Sequence, residues 1–504
     1  MGRAFREVGS PAGGHKAERV SGVFLGLDVG RAVRIVVHQP KDAQSPPIGG
    51  ERSAAAHPIM SSMNRRHFLK AAAVTGTGLT ILRSGTLFGQ NTPNKKLNVA
   101  LIGVWGRGLA HYEGLAKENV VALCDVNELR FPEALAKFPG AKTYIDWRKC
   151  LDHKGLDAIV CCTPDHHHAH IAIWAMNRGL HVYMEKPIAL SVEETRLVRA
   201  AYLKNQHKIA TQAGTQRHAN PNFARVRELI KDGAVGELQG VFVWGNRKLP
   251  RPGYLAAEGK PPSTLHYDQW IGPSPYHPYN PGYFSGSAGA NCLQWNMFWD
   301  FGTGQVGDMG AHTMDLAWNA IDAGVPTSIE AKGDAFNPDV TPVELTAHFN
   351  HPANDWRPAI RVSWYQGGAL PTSPKPWIDL NKIGHGAMFK GAKGVLVADF
   401  NTRTLIPAAD SSDLTYYKPR KPAEVTPPIG NFQDEFFRAC KGNLKTSCNF
   451  DYNGLMTEQM ALGLAAYRSG KKLDYDGKTG TVTNAAEANA FLKRPYRAGW
   501  PING

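Results

Sequence analysis

Leu97 to Asp125, LNVALIGVWGRGLAHYEGLAKENVVALCD, is the stretch that most constrains this 504-residue chain. It reads as a buried strand (Leu97–Ile102), a glycine-rich turn (Gly103, Gly106, Gly108), an amphipathic helix, and a second strand (Val120–Cys124) ending in Asp125. Strand, turn, helix, strand and acid follow one another in the order a dinucleotide needs. The turn lets backbone approach a pyrophosphate, the helix N-terminus offers unpaired N–H groups, and the acid accepts ribose hydroxyls. Asp125 lies about 20 positions after Gly103, the separation that role requires. One position departs from the G-x-G-x-x-G spacing: Trp105 stands where the middle glycine belongs, with Arg107 between Gly106 and Gly108. Either the turn is built through Gly106 and Gly108, or the indole lies aside and helps hold the nucleotide.

The alternation continues. Ala158–Cys162 is an apolar strand followed by Thr163-Pro164 and a helix from about Asp165 to Asn177. His181–Met184 is the next strand and ends in Glu185-Lys186-Pro187. Ser191 and Glu194 form a capping box for another helix, and Lys208–Ala213 is a further strand. Parallel strands joined by helices give an open, doubly wound sheet, in which ligands sit beyond the carboxyl ends of the strands. Thr163, Pro164, Glu185 and Lys186 all lie at such ends and are expected to face the crevice shared with Gly103–Gly108. After Gly214 the pattern changes to a run of strands with few helices: Leu238–Trp244, Ser328–Asp334, Val343–Phe349, Ala359–Trp364 and Gly394–Phe400. The fold class is therefore α/β: a dinucleotide-binding Rossmann domain over 95–214, then an α+β domain over 215–504 with an open, mostly antiparallel sheet. The exposed face of that sheet makes a homodimer or homotetramer the expected assembly.

The net charge of +14 suggests nucleic acid, but its distribution argues against it. Residues 1–62 carry 8 basic and 5 acidic groups, and residues 63–90 carry 4 basic and none acidic. The remaining excess is thinly spread, with no basic run or aromatic-interleaved basic patch. Arg65 and Arg66, then Phe68-Leu69-Lys70 and a mildly apolar run from Ala71 to Leu82, resemble a twin-arginine export signal. That run is too short to span a bilayer. The expectations are a signal over 63–90, transport by the twin-arginine machinery, a periplasmic or other extracytoplasmic location, and a residue 1–62 extension that precedes the natural start. The seven cysteines are too scattered for a disulfide framework, although Cys440 and Cys448 are free to pair in an exported protein.

Two places can carry chemistry. Lys186, at a strand end in the crevice, can hydrogen-bond a substrate hydroxyl and favour an alkoxide-like transition state; position alone favours a surface lysine. Asp308, His312 and Asp315 are spaced i, i+4 and i+7 and share a face of one helix. A carboxylate-flanked imidazole suits general acid–base work, an incomplete metal site, or a capped helix with a structural histidine. The run Asp165-His166-His167-His168-Ala169-His170 is not expected to bind metal, because neighbouring helical side chains diverge. Tyr267, Trp270, Tyr283, Trp295 and Trp299 offer aromatic faces suited to sugar rings or to core packing.

As a set, the glycine turn, Thr163-Pro164-x-x-x-His168, Glu185-Lys186-Pro187 and Asp308-x-x-x-His312 resemble the Gfo/Idh/MocA oxidoreductase family over about Leu97 to Gly504. The resemblance implies a catalytic Lys186 and His312 with an accompanying Asp308. It implies a nucleotide held by Gly103, Trp105, Gly106, Arg107, Gly108, Asp125, Thr163, Pro164, His168, Glu185 and Lys186, and a sugar or polyol met by Trp299, Asp315 and Tyr267. Asp125 favours NAD over NADP, since a carboxylate repels a 2′-phosphate. Two other classes remain open: an NAD-dependent glycoside hydrolase using transient oxidation, and a non-catalytic sugar-binding protein on the same fold.

Overall fold

The computed structural model describes residues 96–284, 290–409, 417–442 and 444–503. The expectations for residues 1–62 and 63–90 lie outside them. Six strands form a wholly parallel sheet in the order β3-β2-β1-β4-β5-β6: β1 Asn98–Ile102, β2 Asn119–Cys124, β3 Lys142–Tyr144, β4 Ala158–Cys161, β5 His181–Met184 and β6 Thr211–Ala213. This is the strand order of a dinucleotide-binding Rossmann domain. β4 is buried at every position, as a parallel strand covered on both faces must be.

Nine further strands make the second sheet: β7 Leu238–Gly245, β8 Ser328–Gly333, β9 Leu345–His351, β10 Ile360–Gln366, β11 His385–Gly391, β12 Gly394–Ala398, β13 Arg403–Pro407, β14 Leu473–Asp476 and β15 Thr481–Val482. Their order is β13-β12-β11-β7-β10-β9-β8-β14-β15, and every pairing except β7 with β10 is antiparallel. β9 alternates buried and half-buried residues along its whole length, the mark of a sheet with one face packed.

Two differences from the sequence reading bear on the site. The expected amphipathic helix after the glycine turn is instead a 3-10 turn, Gly106–His111, followed by a single α-turn, Tyr112–Leu115. Three glycines and two histidine or tyrosine residues in that segment hold the chain in a tight coil rather than a long helix. Gly103 sits at φ +83°, and a Cβ there would meet the Cys162 carbonyl carbon at 2.7 Å, so only glycine lets β1 turn this closely over the end of β4. Second, residues far down the chain return to the first sheet. Phe432, Phe436 and Phe437 pack with Leu101, Leu123 and Val160 in one core. The helix Phe450–Ser469 is buried almost all round, which suits a helix wedged between layers. It carries ion pairs from Asp451 to Arg199 and from Glu458 to Arg196 on the helix Val192–Asn205. Cys440 and Cys448 are buried free thiols, so the pairing open to them in the sequence is not made. No described helix is long and apolar enough to cross a membrane.

The histidine run is buried. His166 and His167 both bond the Trp270 carbonyl through Nε2, at 2.7 and 2.9 Å, and His170 meets the Tyr496 ring edge-on at 4.8 Å. Burial pushes the His170 imidazole down to about 3. Its neutral form stabilises the fold above the unfolded value of about 6.5, and that stabilisation is lost as pH falls from there toward 3. By pH 5 the loss is about 2 kcal/mol for this residue alone. His170→Phe should therefore narrow the gap between the Tm values measured at pH 7 and pH 5.

Candidate active site

A cleft of ≈ 550 Å³ lies beyond the carboxyl ends of the parallel strands. The sheet order sets its layout. Asp125 follows β2 and Lys186 follows β5, three strand spacings away, or roughly 14 Å. Gly103, Trp105, Gly106, Arg107, Asp125, Thr163, Pro164, His168, Glu185, Lys186, Asp308 and His312 all line it. Gly108 is buried beneath the turn, where a Cβ would strike the Gly103 carbonyl oxygen at 2.2 Å.

At the β2 end, Asp125 accepts Val104 N–H at 3.0 Å and Asn127 N–H at 2.9 Å, and burial raises its carboxyl above the usual range. The Trp105 indole is not free: the Arg130 guanidinium lies over its ring at 3.8 Å. Glu185 turns away from the cleft mouth to Arg107 (2.7 Å) and His111 (2.9 Å). Burial would raise its carboxyl, but these two partners outweigh burial and hold it well below the usual carboxylate range. His168 bridges the carbonyls of Thr163 (2.9 Å) and Pro187 (2.6 Å), tying the loop after β4 to the loop that carries Lys186. The donor set fits a nicotinamide dinucleotide: a carboxylate after β2, a glycine turn, and polar loops after β4 and β5.

At the β5 end, Lys186 Nζ donates to Asp308 Oδ1 at 2.5 Å, and Arg247 Nη1 donates to Asp308 Oδ2 at 2.7 Å. Burial opposes charge on Asp308, but the two cations prevail and keep its carboxyl below its ordinary value. Asp308 is carried on a π-turn, Val306–Gly310, that leads into the helix Ala311–Ile321 holding His312. Local π geometry of this kind is frequent where a helix serves a site. Burial first, and then Lys186, push His312 down to about 3, so its imidazole is neutral at neutral pH. Its Nδ1 is buried without a hydrogen-bond partner. Asp165, also lining the cleft, is pushed well up by burial, against the pull of Lys186.

This corrects the expectation that Asp308 and Asp315 flank and charge His312. Asp308 is committed to Lys186 and Arg247. Asp315 lies seven residues along, about 10 Å down the axis, and faces the interior. It bonds His218 Nδ1 at 2.9 Å and the Tyr452 hydroxyl at 2.5 Å. Burial opposes a charge on His218, and the Asp315 carboxylate overcomes it. With Cys448 these two residues form the one described cluster of three possible metal ligands, but His218 and Asp315 already satisfy each other.

Trp299 and Tyr267 are likewise absent from the cleft wall. The Trp299 N–H donates to the Asn337 carbonyl at 3.0 Å beneath Arg468, and the Tyr267 hydroxyl donates to the His277 carbonyl at 2.9 Å. Tyr267 stacks behind Trp270 (5.7 Å, 13°), and it is Trp270, Tyr283 and Trp295 that reach the cleft. Spacing does not reveal which ring of an aromatic cluster faces inward. Arg247 is the residue that the sequence reading missed; its only signal is its place two residues beyond the end of β7.

Fold and cleft define a nucleotide-binding Rossmann domain followed by an α/β domain built on a mostly antiparallel sheet. Residues 97–213 match the family model described as oxidoreductase family, NAD-binding Rossmann fold, and residues 240–347 match that of the family's C-terminal alpha/beta domain. Together they support assignment of the chain to the Gfo/Idh/MocA family. A glycosyl hydrolase family 109 protein of Shewanella sp. (strain ANA-3) is 30% identical over 213 residues, covering 36% of this chain and 45% of that protein. An inositol 2-dehydrogenase of Salmonella typhimurium is 27% identical over 146 residues, covering 28% and 43%. The matched stretches thus span less than half the length of these curated relatives. Among solved structures, the WlbA dehydrogenase of Bordetella pertussis in complex with NADH and UDP-GlcNAcA shares the fold at TM-score 0.53 and 17% identity, over 76% of this chain and 99% of that one. A levoglucosan dehydrogenase in complex with NADH and levoglucosan does so at 0.52 and 17%, over 75% and 99%.

The two carboxylates of the Asp308–Asp315 helix should respond differently to removal of charge. Asp315→Asn removes the carboxylate that keeps buried His218 protonated and breaks the buried pair, and urea unfolding should show a loss of about 3 kcal/mol.

Proposed function

We propose that the protein oxidises or reduces a carbohydrate at a carbinol carbon, with NAD as the hydride partner and His312 as the proton acceptor. The observation that carries this reading is a neutral, buried imidazole beside a lysine clamped by a carboxylate, in the cleft that a Rossmann sheet opens for nucleotide. When bound, nicotinamide supplies the two-electron chemistry, taking hydride from the carbinol carbon or returning it. The protein residues do the rest. His312, uncharged at neutral pH, takes the hydroxyl proton as the carbon–oxygen double bond forms. Lys186 donates a hydrogen bond to the same oxygen and favours the negative charge that gathers there. Asp308 and Arg247 fix the Lys186 ammonium rather than the histidine. Trp270, Tyr283 and Trp295 supply ring faces for the sugar and exclude water.

The NAD preference rests on Asp125, with Arg130 occupied over Trp105. The resemblance of 63–90 to a twin-arginine signal supports a working enzyme outside the cytoplasm, delivered folded by the twin-arginine machinery. No large nicotinamide pool exists there to exchange with, so the nucleotide is held tightly and the redox cycle closes on the enzyme. Oxidoreduction between two sugars satisfies this, as does glycoside cleavage through transient oxidation. The second route is favoured by the 30% identity to a glycosyl hydrolase family 109 protein. The working form is a homodimer or homotetramer joined through the open sheet.

Protein purified without added cofactor should release nicotinamide nucleotide on denaturation, read by mass spectrometry; an empty protein that exchanges nucleotide freely contradicts the closed cycle. His312→Ala and Lys186→Ala should each cut turnover on a sugar panel by roughly 10²–10⁴-fold with nucleotide retained. Near-normal turnover in either variant removes the assignment. Release of a reducing sugar with no net change in nicotinamide absorbance selects the hydrolytic cycle.

A further inference from the structure

Cations outnumber anions at the reacting end of the cleft. Lys186 and Arg247 share the single carboxylate of Asp308. Arg217 adds a third cation beside the cleft, next to the lining residue Gln216 on the 3-10 turn Gln216–Ala219 that follows β6; its charge acts on His312, and no described carboxylate pairs with it. Its guanidinium lies 4.3 Å over the Phe400 ring, and its Nε is buried without a hydrogen-bond partner. Phe400 in turn stacks on His385 (6.4 Å, 25°). His385 pairs across the sheet with Gly245, two residues before Arg247. This chain of contacts brings Arg217 to the same corner as Arg247. Burial, and then the charge of Arg247, make protonation of Arg217 harder than in water. The two histidines of this corner give no relief: His312 and His385 are pushed down to about 3 and about 4, burial being the larger cause in each, and carry no charge to exchange.

Holding two guanidinium groups together in a half-buried corner is unfavourable until an anion joins them. A Rossmann domain receives the pyrophosphate at its glycine turn, and the nicotinamide end of the nucleotide carries no anion. We propose that Arg217 and Arg247 receive an oxyanion carried by the sugar itself, so that the substrate is an acidic carbohydrate rather than a neutral one. The planar guanidinium fork matches a carboxylate, phosphate or sulfate through paired N–H···O bonds. The acidic group is thereby fixed while the carbinol carbon is presented to His312 and Lys186. The proposal rests on the carbohydrate reading above and names its substrate class.

The test is calorimetric binding to nucleotide-loaded protein of matched sugars: glucose with glucuronate, galactose with galacturonate, and the 6-phosphates and 6-sulfates of the same hexoses. In at least one set the acidic member should bind about 10-fold or more tightly than its neutral parent. Which acidic member leads identifies the oxyanion. That ratio should fall toward one in Arg217→Gln, recover in part in Arg217→Lys, and shrink in high salt for the wild type. Equal or tighter binding of every neutral parent overturns the proposal and leaves the carbohydrate reading standing. Arg217→Gln that loosens nucleotide and keeps the sugar ratio also overturns it, assigning the cation to the cofactor. Binding of no sugar at all by protein that retains nucleotide overturns both.

Discussion

The ion pair between Lys186 and Asp308 is the interaction on which the rest of this site depends. Lys186 leaves the last residues of β5 in the Rossmann domain, and Asp308 comes from the helix start that packs against the antiparallel sheet. One charge-assisted contact at 2.5 Å therefore joins the two domains at the point where chemistry must occur. Arg247, from beyond β7, closes the same carboxylate on its other oxygen. With both oxygens engaged, Asp308 has little to offer His312. The imidazole is left buried beside an ammonium, and these two conditions both favour its neutral form.

Burial acts in one direction on the titratable groups that line this crevice. It keeps His312, His167 and His168 neutral and pushes Asp165 toward its protonated form. The buried carboxylates Glu185 and Asp308 keep their charge through cations in direct contact, Arg107 and Lys186. A cleft of neutral imidazoles and clamped charges is preorganised: little has to be reoriented when a proton and a hydride leave the same carbon. The behind-the-wall pair follows the same rule: contact with the Asp315 carboxylate makes a protonated His218 tolerable, and the Tyr452 hydroxyl donates to the same carboxylate.

Much of this was legible in the chain. Strand-end position placed Thr163 and Lys186 in one crevice, because a parallel sheet leaves its carboxyl ends on a common edge; the family resemblance alone joined Asp308 and His312 to them. The fold class and the parallel core strands follow from uninterrupted apolar runs such as Ala158–Cys161. What the sequence could not show is who bonds whom. The i, i+4, i+7 spacing of Asp308, His312 and Asp315 predicts a shared face. It cannot report that a π-turn aims Asp308 at Lys186 while Asp315 passes the rim and meets His218. β11 went unread because His385-Gly386-Ala387 and Gly391 weaken its alternation, and it is the strand that brings His385 to the corner shared by Arg217 and Arg247. Tyr267 and Trp299 carry the right chemistry but sit one layer back, a distinction made by packing alone.

The most direct test is the titration of His312 itself, followed by histidine-ring NMR in protein where a His312→Gln variant identifies its signals. Asp308 bound to Lys186 and Arg247, with His312 buried beside them, predicts an imidazole that stays neutral throughout the range from pH 8 down to pH 5. An imidazole that protonates at or above about 6.5 would mean that a carboxylate serves the histidine after all, and would contradict the account.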